Sequence, residues 1–498
     1  MEYRTQIISA PATSAATFFD RLNEAGVRYG IFKSSRNTLM ALAGDQDLDI
    51  LVAREDYHRF CAIASECAGI RSVNHSSLVS PAREDWFIPD FERAKYLHLD
   101  VHTSVRLGGK FSKRYPCYAY SDIHQWHTVS LGGCSIPMVS PMDEAVITLS
   151  RIAFRFKGEV SGPWQKLTGD WAQEIDQLLF GAAETGEKSV RHERSGLELR
   201  CRVGKHGGDV WVHREDLASI RRSVKAHRGS SGLSAFTDSI SNLLGTWHYA
   251  ASRFMNRVIP GFTIDRRRPA SGGLIVAVVA PDGLGKTTQV ERMSALFNWK
   301  FCCVSLYLGT GDGRGWWPRR LLRTLYIRQR SKINETLLDD TAKEGGSRGL
   351  KSRLGSLLLA MWGLLAALER HARVRAARRM ADRGFIVFCD RWPQSIQPGF
   401  MDGPTRPRQD SPGLLRSWEL SLYDRMSRVQ PDVTIHLIGD YETSQARKPG
   451  ELDRQAFDKR VALMKDIQAK TPRIHVIDAG RSREDVSKAL FELIWKAL

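Results

Sequence analysis

The chain has 498 residues, 42% of them hydrophobic and 26% charged, and a net charge of +18. That length exceeds one ordinary core and that composition excludes wholesale disorder, so two or three globular domains are expected. The charge excess favours an anionic partner: nucleotide phosphates, nucleic acid or an acidic membrane surface.

In chain order, Met1 to Phe18 lacks a basic start followed by an apolar stretch, so no secretory signal is visible and a cytoplasmic, reducing location is expected. The eight cysteines show no Cys-x-x-Cys pair and no Cys/His metal spacing, and read as reduced core thiols. A helix is expected over Ala15–Ala25, then short strands at Tyr29–Phe32 and Leu48–Val52, a helix near Tyr57–Ala68, and a strand at Tyr96–His102. Ser140 and Pro141 suit the cap and first position of a further helix. Asp47 and Asp49 stand two apart on a strand, so both carboxylates project to one face, and Asp100 lies on a second strand. Three convergent carboxylates can hold two Mg²⁺ ions for in-line attack on a nucleotide α-phosphate; exposed acids on an edge strand give the same pattern. The polar stretch from Gly186 to Gly229 gives no assignable period. Asp265 to Pro269, followed by Ser271-Gly272-Gly273, reads as a linker. The expected division is residues 1–240 (an α+β domain with a helical extension), a linker at 241–271, and an α/β domain at 272–498.

Leu274 to Val279 is an uninterrupted apolar, β-branched run, as a central parallel strand requires. It leads into Ala280-Pro281-Asp282-Gly283-Leu284-Gly285-Lys286-Thr287-Thr288 and then a helical pattern: strand, glycine-rich loop, helix. Gly283 and Gly285 let backbone N–H groups face phosphates at the positive end of the helix, Lys286 reaches the β/γ-phosphates, and Thr287 offers a hydroxyl to Mg²⁺. Ala280 replaces the usual first glycine with another small residue. Between Gly313 and Arg383, 17 Lys and Arg face 6 Asp and Glu, either an anion-binding stretch or a solvated basic helix face. Within it, Leu354 to Leu368 falls short of the roughly 20 apolar residues of a membrane span and reads as a buried helix. Phe385 to Cys389 is a second buried-strand run ending in Asp390-Arg391-Trp392. A carboxylate at such a strand tip can serve Mg²⁺ or polarise an acceptor phosphate, and the arginine can clamp a phosphate.

These segments resemble thymidylate kinases, which carry Asp-Gly-x-Gly-Lys-Thr-Thr in the loop and Asp-Arg-Tyr after a later strand. The likeness continues through Pro431-Asp432 before Val433–Ile438, a lid-like stretch with Arg447 and Gly450 to Arg454, and a closing Ile474 to Ala479. The resemblance implies a P-loop kinase fold with a parallel sheet flanked by helices, and ATP and Mg²⁺ as cofactors. It further implies Gly283, Gly285, Lys286, Thr287 and Thr288 at the nucleotide, Asp282 near the acceptor, Arg391 on the acceptor phosphate, and Arg447 on the transferring phosphoryl group. Homodimers are frequent in that family, so a homodimer is a further expectation. The acceptor side departs from the pattern: Tyr307 to Arg314 replaces an Arg-Glu-Pro-Gly turn, and Gln394 to Gly399 replaces a Tyr-Gln-Gly. The expected acceptor is therefore an anionic small molecule, a nucleoside monophosphate or another phosphorylated compound, with no motif that singles out thymidylate.

Residues 15–155 resemble the minimal nucleotidyltransferase fold, with Asp47, Asp49 and Asp100 as metal ligands and Lys33-Ser34-Ser35 at a turn that usually holds glycine. Function is thus expected to be ATP-dependent phosphoryl transfer by the second half. The alternatives are nucleotidyl transfer by the first half, or a non-catalytic nucleotide-binding regulator. Nucleic-acid binding ranks below these, because no aromatics interleave the basic residues on a recognisable binding fold.

Overall fold

The computed structural model describes residues 13–73, 83–109, 112–123, 125–155, 160–180, 186–192, 197–204, 209–226, scattered helical positions between 240 and 254, and 267–309, 347–398, 401–406, 413–450, 453–471 and 473–498. The chain divides into two units, Met1–Ala270 and Ser271–Leu498.

The first unit holds the expected elements in order, with three unexpected ones among them (the second helix and the third and fourth strands): α1 (Thr13–Glu24), β1 (Tyr29–Ile31), α2 (Thr38–Leu42), β2 (Asp47–Val52), α3 (Tyr57–Glu66), β3 (Ile70–Val73), β4 (Arg83–Asp90) and β5 (Lys95–His102). After the hairpin β6 (Val105–Gly109) and β7 (Ser112–Tyr118) come β8 (Trp126–Leu131), β9 (Cys134–Val139) and α4 (Pro141–Arg155). Strand β2 runs antiparallel to β1 and parallel to β5, in register Asp49↔Asp100. Period-two alternation divides its side chains: Leu48, Ile50 and Val52 join a core with Phe18, Phe19 and Phe60, whereas Leu51 faces a second core shared with α4. Asp49 shares the Leu51 side. The Ser140 hydroxyl accepts the Asp143 N–H at 3.1 Å and caps α4 as its sequence requires.

Two expectations are corrected. The region expected as a helical extension holds a five-stranded antiparallel sheet as well as helices α5 (Asp170–Leu179) and α6 (Arg214–Ala226). Its strands are β10 (Val160–Ser161), β11 (Trp164–Lys166), β12 (Gly186–His192), β13 (Leu197–Val203) and β14 (Val210–His213). Backbone pairing carries this sheet, and only one face of β13 and β14 is apolar, with Leu199, Cys201, Val210 and Val212 buried. Within the expected linker, Arg268–Pro269 forms β15, pairing with β3 at the sheet edge, where a proline is tolerated. The Arg267 guanidinium lies 2.9 Å from the buried Asp85 carboxylate and fixes that edge.

The second unit is a five-stranded, wholly parallel sheet in the order β17-β18-β16-β19-β20, with helices between the strands. Its elements are β16 (Leu274–Val279), α7 (Lys286–Asn298), β17 (Cys303–Tyr307), α8 (Ser347–Asp382), β18 (Ile386–Asp390), α9 (Gly413–Ser427), β19 (Val433–Ile438), α10 (Tyr441–Arg447), α11 (Arg454–Lys470), β20 (Ile474–Asp478) and α12 (Arg483–Ala497). Ile275 and Ala277 on β16 and Val387 and Cys389 on β18 pack against Ala367, Val374 and Ala377 of α8. The helix expected to be buried at Leu354–Leu368 lies within α8 and is only half buried, because a single stripe of a helix can face one sheet. Leu357, Met361 and Leu368 stay exposed. Among the described residues no helix is long and apolar enough to cross a membrane. Residues 310–346, the first part of the basic stretch, lie outside the described residues. In the second part Arg370 and Arg378 pair with Asp402 and Asp382, so these charges are spent inside the unit.

Candidate active site

β16 delivers the chain to the carboxyl edge of the sheet, where it must reverse into α7. Gly283 and Gly285 make that reversal with φ of 87° and 82°, in the left-handed region open to glycine. A Cβ on Gly283 would stand 2.5 Å from the Ser444 hydroxyl and 2.7 Å from its carbonyl oxygen. Ala280, in place of the first glycine, is buried, so a small side chain suffices there. Thr287 and Thr288 lie exposed in the first turn of α7.

The Asp282 carboxylate organises the site. One oxygen takes the Lys286 ammonium at 2.6 Å and the Arg391 guanidinium; the other takes the Arg460 guanidinium. Burial raises the Asp282 carboxyl, but Lys286, Arg391 and Arg460 outweigh it and hold the group well below the usual carboxylate range. Burial and the neighbouring Arg391 lower the Lys286 ammonium against the pull of Asp282. Asp390, at the tip of β18, accepts a 2.6 Å hydrogen bond from the Thr287 hydroxyl through Oδ2. Its Oδ1 is buried with no hydrogen-bond partner among the described residues.

Arg391 has φ of 75°, a left-handed conformation rare for a residue with a side chain. Its N–H donates to Val278 O at 3.0 Å, which locks the turn, and the guanidinium reaches Asp402 at 3.3 Å. Arg370 in turn holds Asp402 at 2.8 Å and donates to Leu308 O at 2.8 Å. These groups open on a cavity of about 720 Å³ whose opposite wall is Leu359, Trp362 and Ala366 of α8. A Cβ on Gly363 would stand 2.5 Å from the Thr405 methyl, so α8 approaches closely there. Glu419 closes the floor, accepting from the Thr405 N–H and hydroxyl at 2.7 Å each.

The structure therefore brings Asp282, Lys286, Thr287, Asp390 and Arg391 together at one cavity. Arg447 comes beside the loop, with Nη1 3.8 Å from where a Cβ on Gly285 would lie, and donates to Ala479 O at 3.0 Å. Sequence reasoning missed Arg460, Arg370, Asp402 and Trp362. Arg460 sits in an ordinary charged helix, and only the fold brings it to a carboxylate 178 positions away. Of the two segments that depart from the thymidylate kinase pattern, Thr310 to Arg314 and Gly399 lie outside the described residues.

In the first unit, ligand atoms of Asp49, Asp100 and His102 lie within 4.8 Å of one another. Asp47 stands apart, 2.8 Å from His98 Nδ1, whose Nε2 lies 2.8 Å from Asp85. Burial pushes Asp49 up despite Lys33, whereas His102 and Arg83 overcome burial and hold Asp100 well below its ordinary value. The ammonium of Lys33 is 2.7 Å from Asp49 and the guanidinium of Arg83 is 2.6 Å from Asp100. At the turn, Ser34 adopts φ of 59° in place of a glycine, and the Ser35 N–H donates to Glu144 at 3.0 Å.

No known family profile matches the chain. It is 27% identical over 217 residues to the uncharacterized ATP-binding protein YghR of Escherichia coli, covering 43% of this chain and 83% of that protein. It is also 27% identical over 238 residues to the uncharacterized ATP-binding protein YghS of Escherichia coli, covering 45% and 93%. A solved structure of thymidylate kinase from Candida albicans aligns with 45% of this chain and 92% of that one, at 16% identity and a TM-score of 0.29.

Proposed function

We propose that the second unit is an ATP-dependent phosphotransferase that moves the γ-phosphoryl group to a nucleoside monophosphate or another phosphorylated acceptor. The observation that carries this reading is the grip of one carboxylate, Asp282, on Lys286 of the loop and on Arg391 and Arg460 of the facing wall. ATP as donor is supported by the loop and by the names of YghR and YghS.

Phosphates entering the loop meet backbone N–H groups from Gly283 to Thr288 and the Lys286 ammonium. Arg391 and Arg460 orient the acceptor's phosphate, and Arg447 beside the loop meets charge on the group in flight. Asp282 holds the cations in place beforehand, so little reorganisation accompanies the reaction. The orphaned Asp390 Oδ1 beside the Thr287 hydroxyl fits a hydrated Mg²⁺ ion, which would neutralise phosphate charge. The Trp362 wall suits a planar or apolar portion of the acceptor.

The test is coupled ATP turnover by the full chain against a panel of nucleoside monophosphates, with Lys286→Ala as control. Turnover with one acceptor, abolished in the control, is expected. Full activity in the variant refutes the assignment, and ATP binding without turnover on any acceptor leaves a nucleotide-binding regulator.

A second reading gives the first unit nucleotidyl transfer, favoured by the register pairing of Asp49 with Asp100 beside His102. Incorporation of α-labelled nucleotide, lost in Asp47→Ala and Asp49→Ala, supports it; unchanged incorporation removes it.

A further inference from the structure

Beside Asp49, on the α4 side of the first unit's sheet, lies a narrow recess lined by Phe32, Lys33, His102, Arg106, Arg151 and Arg155. Arg151 and Arg155 are one helical turn apart on α4, so their guanidinium groups share a face. Among the described residues neither meets a carboxylate. Arg151 lies over the Trp171 ring at 5.0 Å, and its Nη1 is buried without a hydrogen-bond partner among those residues. Lys33 has Asp49 as its counter-ion, and the nearby Arg83 has Asp100. Burial chiefly, with smaller contributions from Arg151 and Arg83, pushes the Arg155 guanidinium down to about 10. Half-buried cations ordinarily find anions, and like charges at this spacing destabilise a helix.

We propose that this recess binds a phosphoryl group, the charged end of a phosphorylated small molecule. Two guanidinium groups match a dianion in charge and offer the paired donors that phosphate oxygens take. The enclosed part holds about 20 Å³, room for one water-sized group, so a single phosphoryl oxygen enters and the rest of the group sits at the mouth, under the guanidinium groups. Lys33 and His102 line the recess and also contact Asp49 and Asp100, so the bound phosphoryl group adjoins that cluster. All of the recess's lining residues belong to the first unit, and the proposal does not depend on the phosphotransferase reading.

The full chain carrying Lys286→Ala, which weakens the second unit's own phosphate site, is titrated calorimetrically with inorganic pyrophosphate at fixed chloride. One binding event is expected that weakens at least tenfold when Arg151→Gln and Arg155→Gln are added and is largely kept in Arg155→Lys. Equal affinity in the doubly substituted chain overturns the proposal. Citrate binding as tightly as pyrophosphate overturns the phosphoryl assignment. Without ligand, the double substitution is expected to leave the melting temperature unchanged or higher, because it relieves repulsion. A lower value identifies the arginines as structural and overturns the proposal. With Lys286 intact, the same pair leaves ATP turnover unchanged.

Discussion

Replacing Asp282 with Asn tests the organisation of the candidate active site. The carboxylate holds three cations, and all four side chains are no more than a quarter exposed. Removing one partner from a buried ion pair costs about 3–5 kcal/mol; partial exposure here lowers the expected loss to about 2–3 kcal/mol, after discounting for solvent screening. For a unit of this size that is a fall of about 5–10 °C in melting temperature. Polyphosphate should take over the carboxylate's place, so ATP with Mg²⁺ at 100 times its dissociation constant should restore about 2.7 kcal/mol. The pH dependence has a definite sign. Asp282 is depressed in the folded chain, so its stabilisation is present above the ordinary value of 3.8 and is lost as pH falls through the lower folded value. The melting difference between parent and variant should therefore hold near neutrality and shrink in acid. Thermal melts with and without nucleotide, from pH 7 downward, measure all three effects. No destabilisation at pH 7, or a loss that nucleotide leaves untouched, refutes the reasoning.

Gly283→Ala should cost about 1–3 kcal/mol and weaken ATP binding, because it adds a left-handed penalty and drives a methyl into Ser444; denaturant melts and nucleotide titration check both. Arg460→Ala should lower kcat/KM by roughly 10²–10³ while changing the ATP dissociation constant little, as steady-state kinetics and equilibrium binding together will reveal. Burial pushes the His436 imidazole down to about 4, so the unfolded chain takes up its proton first and folded stability falls as pH drops from about 6.5 toward 4. His436→Leu should remove up to about 3 kcal/mol of that pH dependence, read from melts of parent and variant across the range. Chelation with EDTA should abolish ATP turnover, and added Mg²⁺ should restore it.

The loop of the second unit was legible because its signal is local: an apolar run, two glycines, then a helix, with every residue within 15 positions. The parallel strands were legible for the same reason, since Leu274–Val279 and Phe385–Cys389 are apolar on both faces. The far wall of the cavity was not legible, because Arg460, Asp402 and Trp362 come to it only through the tertiary fold. In the first unit two strand patterns put Asp49 and Asp100 on strands, but their pairing, and the direction of Asp47 toward His98, depended on the parallel register. The extra sheet had one readable strand: Leu197, Leu199, Cys201 and Val203 alternate with charged residues in β13. Its neighbour β12 is polar on both faces, and the backbone pairing that defines it leaves no pattern in side chains.

Arg391 combines an expensive backbone with a needed charge. Glycine or asparagine at that position would relax the turn and lose the guanidinium that faces Asp282 and Asp402. Selection for heat resistance alone therefore weighs the relaxed turn against the lost pairs with Asp282 and Asp402 and should leave position 391 variable, whereas selection for turnover should retain arginine. The two screens run side by side would separate the part of this sequence that serves folding from the part that serves chemistry.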